Sequence, residues 1–93
     1  MQDLNELVKA FEQNETDDAL KAAMEQSIDW YIKHQFETLV QLLYRLDVNE
    51  QKFKKALQAH NPDQLPKALT LLIIEKIQER AYWRSKFKKG DEG

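Results

Sequence analysis

The stretch LPKALTLLIIEKI, residues 65–77, is the most apolar part of the chain, with Leu65, Ala68, Leu69, Leu71, Leu72, Ile73, Ile74 and Ile77. Written on a helix, these side chains point in nearly every direction, which implies burial on several sides. Asp63 is expected to cap this helix. Pro66 then falls at the third helical position, where a missing N–H costs nothing because that donor has no helical partner. From Gln78 the same helix changes character and becomes basic and aromatic: Arg80, Tyr82, Trp83, Arg84, Lys86, Phe87. Both glycines, Gly90 and Gly93, lie in the last four residues, and both prolines, Pro62 and Pro66, fall in one short loop. The rest of the chain is therefore open to helix, and residues 90–93 are expected to form a frayed tail.

Working back from this helix, Phe53, Ala56 and Leu57 form a modest apolar face opposite Lys52, Lys54 and Lys55, ending at His60-Asn61-Pro62. Asp47 is the expected N-cap of that helix, with Glu50 at its third position. Residues 16–47 contain neither glycine nor proline. Leu20, Met24, Ile28 and Tyr31, then Leu39, Leu42, Leu43 and Leu46, keep a helical phase, but the register around His34-Gln35-Phe36 is polar. A single helix there would be about 30 residues long, well beyond the usual 11 or 12, so a break near His34 is expected. Near the N-terminus, Leu4, Leu7, Val8 and Phe11 make one buried stripe at i, i+3, i+4, i+7. Asp3 is the expected N-cap, with Glu6 completing a capping box, and Thr16 is the expected cap of the second helix. The expected fold is an all-α, compact antiparallel bundle of four or five helices. It forms one domain over residues 1–89, with 65–77 and 39–46 at its centre.

The segment FETLVQLLYRLDV, residues 36–48, together with Leu71-Leu72-Ile73-Ile74-Glu75 and Arg80, resembles short all-helical bacterial proteins of uncharacterised function. The resemblance implies a compact helical fold and a cytosolic origin. It implies no activity, ligand or site residue.

With 93 residues, 42% hydrophobic and 32% charged, the composition fits a globular helical domain rather than a disordered chain. No run of about 18 apolar residues is present to span a membrane. The opening Met1-Gln2-Asp3-Leu4-Asn5-Glu6 lacks the basic start and apolar stretch of a secretory signal, so a cytoplasmic location is expected. Without cysteine there is no disulfide, thiol chemistry or cysteine-bound zinc. The charge is uneven. Residues 1–29 carry eight acids against Lys9 and Lys21, whereas residues 76–89 carry six cations against Glu79. Such asymmetry is either matched within the fold or offered to an acidic partner.

No catalytic, metal or nucleotide motif stands out. His34 and Glu37 are three apart and would share a face on a continuous helix, but neither His34 nor His60 has the glutamate three residues earlier that carboxylate-bridged di-metal bundles use. His60 is expected at a helix C-terminus, where its cationic form is favoured. No cofactor and no catalytic residue is therefore expected. Trp30 and Tyr31, like Tyr82 and Trp83, are neighbours that point about 100° apart on a helix, so at least one of each pair is expected near the surface. Exposed tryptophan is enriched at protein interfaces. The expected function is a small non-catalytic interaction module, a homodimer or a binder of another protein, contacting its partner through Arg80, Trp83, Arg84 and Phe87. The rival reading is nucleic-acid binding through the stripe Lys76, Arg80, Arg84 and Lys88, against which stands a sequence pI of about 5.7.

Overall fold

The computed structural model describes residues 3–13, 17–59 and 61–92, with side chains through Lys86. Among these residues the chain forms five helices and no strand: α1 (Leu4–Gln13), α2 (Asp18–His34), α3 (Phe36–Arg45), α4 (Glu50–Ala59) and α5 (Leu65–Glu92). The expected all-α bundle is what the chain adopts. α5 is helical through Gly90 to Glu92, past the point at residue 90 where a tail was expected.

The centre of the bundle is the α2–α5 pair, against which α1 packs, while α3 leans on α2 and α4 on α5. At this centre Met24, Ser27 and Ile28 of α2 and Leu69, Thr70 and Ile73 of α5 are essentially inaccessible. Leu39 and Leu43 of α3, as expected, are equally buried, so the sequence reading placed 65–77 correctly at the centre and under-weighted α2. Ser27 and Thr70 are the polar members of this buried set. Thr70 donates its hydroxyl to the Pro66 carbonyl at 2.7 Å, one turn back, so the buried oxygen has a partner. Among the described residues no buried side-chain polar atom lacks one.

The expected break near His34 falls at Gln35, whose φ of −146° and ψ of 62° leave the helical region. Gln35 donates its N–H to Tyr31 and accepts at its carbonyl from Leu39, closing α2 and opening α3 with one residue. Apolar phase does not demand this break, since Ile28, Leu39 and Leu46 would lie in line on a straight helix. Burial does: a straight helix over residues 18–45 would be about 42 Å long, and its second half would leave its leucines uncovered.

Three caps differ from expectation. Asp17, not Thr16, caps α2, its carboxylate accepting from the N–H groups of Ala19 at 2.9 Å and Leu20 at 3.3 Å; Thr16 lies outside the described residues. Asn49, not Asp47, caps α4, its side-chain oxygen accepting from the Lys52 N–H at 3.1 Å. Asn61, not Asp63, starts the turn into α5, accepting from the N–H groups of Asp63 and Gln64, both at 3.0 Å. Pro62 therefore follows the cap directly, where its fixed φ suits a starting helix. The Asp3 cap stands as expected, accepting from the Asn5 N–H at 2.8 Å.

Asp47 instead ends α3. It holds a left-handed φ of 62°. Its N–H donates to the Tyr44 carbonyl and the Val48 N–H to the Leu43 carbonyl, both at 3.0 Å. This is the two-bond termination usually built with glycine, and buried Val48 and Leu43 supply its apolar contact. Aspartate tolerates the left-handed region less well than glycine. Its ion pair with Lys76, at 3.6 Å and on an exposed carboxylate, offsets little. Asp47→Gly is expected to raise unfolding stability by about 0.5 to 1 kcal/mol, read by urea denaturation. A loss of similar size would show that the Lys76 pair outweighs the backbone.

Candidate functional site

Among the described side chains of α5, the last fully buried one is Ile77, at 2% exposure. Beyond it the helix runs on for fifteen residues, about four turns, with only Ala81 partly covered among its described side chains. The molecule is correspondingly elongated, 48 × 28 × 19 Å. Its radius of gyration is 14.0 Å, against about 12 Å for a compact chain of this length. The sequence change at Gln78 from all-round apolar to basic and aromatic thus marks the point where α5 leaves the core.

On this outer segment Arg80, Tyr82, Trp83, Arg84 and Lys86 are all exposed. Tyr82 and Trp83 both lie open, at 55% and 48%, where only one of the two was required. Their rings meet edge to face at 5.4 Å. Lys86, one turn on, places its ammonium 5.8 Å from the Tyr82 ring and 5.3 Å from the Trp83 ring. At that distance the π-faces attract the cation. The result is an exposed aromatic ledge with positive charge at its edge. Of the four expected contact residues, Arg80, Trp83 and Arg84 share this segment; the Phe87 side chain lies outside the described residues.

The basic stripe is shorter than expected. Lys76 is half-buried and faces Glu79 at 3.3 Å and Asp47 at 3.6 Å, so it belongs to the fold's own charge pairing. The Lys88 side chain lies outside the described residues. Beside Lys76, Glu75 meets Lys52 of α4 at 2.7 Å. This hydrogen bond, with the Glu75 charge behind it, holds the Lys52 ammonium above its usual pKa. Together Lys52, Lys76, Asp47, Glu75 and Glu79 line a polar hollow of about 280 Å³ between α4 and α5.

His34 is the final residue of α2 and Glu37 lies in the first turn of α3. The break at Gln35 therefore removes the shared face that a continuous helix would have given them. The exposed His34 ring instead stacks on Trp30, one turn earlier, at 5.0 Å. Trp30 also meets Tyr31 edge to face at 5.2 Å, and both are half-buried. His60 lies outside the described residues. Among the described residues no three metal-ligating side chains come together, and no helix is long and apolar enough to cross a membrane. Phe36 and Tyr44 are exposed, Tyr44 resting edge-on against buried Phe53 at 6.3 Å.

Sequence reasoning missed one surface. Leu71, set in the greasiest stretch of the chain, is 45% exposed and lies beside Ala56, Ala59 and Ala68 in a trough between α4 and α5. The available signal was the composition of α4, whose face toward α5 offers alanines too short to cover a leucine.

No family model, curated protein or solved structure matches this chain. The resemblance to short bacterial helical proteins gains no support from these comparisons, and the functional reading rests on the surface alone.

Proposed function

We propose that this chain is a small, non-catalytic, cytosolic protein-interaction module whose contact surface is the outer end of α5, its simplest assembly being a homodimer. One observation carries the reading: Tyr82 and Trp83 stand exposed side by side beyond Ile77, with Lys86 over both rings and the exposed Arg80 and Arg84 on the same outer segment of α5. Aromatic and arginine side chains dominate the energy of protein interfaces because they bury much area with few rotatable bonds. The two rings act as anchors, and the arginines pair with acids on the partner. In a two-fold dimer those acids come from the exposed Glu6 and Glu12 of α1 and Asp18 of α2.

Absolute mass by light scattering after size exclusion, at low and high salt, tests the dimer. A dimer that loosens as salt rises supports both the anchors and the charge pairing. A salt-insensitive monomer removes self-association and assigns the surface to another protein. A nucleic-acid reading shares the same observation, since exposed cations beside exposed rings are also how single strands are held. Against it stands the chain's net charge of −2. That reading requires retention on single-stranded DNA or RNA that falls steeply with salt, and no retention at low salt eliminates it.

A further inference from the structure

α4 and α5 run antiparallel, with the turn at residues 61–64 leading into α5, and are tied at their far end by Lys52 and Glu75. Lys52, Lys55, Ala56 and Ala59 lie on one face of α4, while Lys67, Ala68, Leu71 and Leu72 lie on the opposing face of α5, each set at three- and four-residue spacing. Between them runs a trough of about 640 Å³, open to solvent along its length. It spans two helical turns, about 10 to 12 Å. Its floor is alanine and leucine. Its rim carries three lysines and no acid, in a chain whose net charge is −2. Lys52 is paired with Glu75, while Lys55 and Lys67 make no ion pair among the described residues.

We propose that this trough docks an amphipathic α-helix of another protein, with a two-turn apolar stripe flanked by aspartate and glutamate. Alanines on the floor let a helix lie close, and Leu71 and Leu72 meet side chains at i, i+3 and i+7 of the incoming stripe. The lysines on both banks set the sign of its flanks. A small amphipathic anion such as a fatty acid fits less well, because pockets for such ligands enclose about 70–90% of their surface and this trough is open. A second copy of the chain fits less well too. Its acidic helix α1 buries Leu4, Leu7, Val8 and Phe11 in its own core, so the acids it exposes come without an apolar stripe. No residue of the trough lies beyond Leu72, so the surface is separate from the ledge at residues 80–86 and stands or falls apart from it.

The test is a titration of the ¹⁵N-labelled full chain, followed by amide chemical shifts, with a synthetic peptide of about 18 residues, long enough to populate a helix in water. The peptide carries leucines at i, i+3, i+4 and i+7 with glutamates on both flanks; a second peptide has the same composition in scrambled order. The expected result is shifts confined to residues 52–59 and 64–72 with the ordered peptide only. Lys55→Glu with Lys67→Glu, both at exposed positions, is expected to weaken binding about tenfold or more with unchanged circular dichroism. The proposal is overturned by an absence of shifts at millimolar peptide, by equal shifts with the scrambled peptide, or by shifts gathered at residues 78–86. Unchanged affinity in the charge-reversed variant overturns it equally. So does oleate that shifts the trough amides when the peptide does not, or a dimer that Leu71→Glu converts to monomer.

Discussion

Replacing Ile73 with alanine is expected to remove about 3 to 5 kcal/mol of folding stability, the upper part of the range for truncating a buried isoleucine. Ile73 has no exposed surface and sits in the buried first half of α5, the helix that α1, α2 and α4 all touch. The loss has two parts. The missing methyl and methylene groups forfeit their transfer energy, and the space they leave persists because the α2–α5 pair cannot close on it. Total stability for a domain of this size is only about 5 to 15 kcal/mol, so the loss is a large share of it. Leu71, two residues earlier, is the internal control. It is 45% exposed, and Leu71→Ala is expected to cost under about 1 kcal/mol. Urea denaturation read by circular dichroism separates the two. Equal losses would mean that α5 is buried all round, and the trough beside Leu71 would not exist.

Removing both rings of the ledge, Tyr82→Ala with Trp83→Ala, is expected to do the opposite: almost no change in stability and a large loss of association. Truncating a buried tryptophan or phenylalanine costs about 3 to 5 kcal/mol, but these two rings lie exposed beyond Ile77, where they contact each other and Lys86. The double variant is therefore expected within about 1 kcal/mol of the parent. As interface anchors, each ring is expected to contribute about 2 kcal/mol or more to binding, so the pair should weaken association a hundredfold or beyond, read by light scattering or titration against the partner. Arg84→Glu should weaken it further at low salt than at high salt, because it reverses a rim charge.

Much of this architecture can be read from the residues themselves. The stripes of α1 and α3 are clear because their apolar side chains repeat at helical spacing between polar ones, and each is buried as that spacing requires. The break at Gln35 was legible through length and the polar register at His34-Gln35-Phe36, since no glycine or proline marks it. The caps at Asp17, Asn49 and Asn61 were each displaced by one or two residues. The boundaries are rich in Asp, Asn and Thr, all of which can cap, and the choice depends on how the chain enters from the preceding turn. Asp47 is the clearest case: it resembles an N-cap in sequence, yet the buried Val48 draws it into the left-handed end of α3. The exposure of Tyr82 and Trp83 follows from the composition change at Gln78, whereas that of Leu71 depends on what lies across from it. A helix with apolar side chains on all sides gives no sign of which side its neighbour fails to cover.

The central claim is that the outer end of α5 is a contact surface rather than core, and unfolding and mass measured on the same samples of the Tyr82→Ala, Trp83→Ala double variant test it most directly. The account predicts an unfolding free energy within about 1 kcal/mol of the parent, together with loss of the parent's self-association or partner binding. A loss of several kcal/mol, of the size expected for Ile73→Ala, would place the two rings in the core and contradict it.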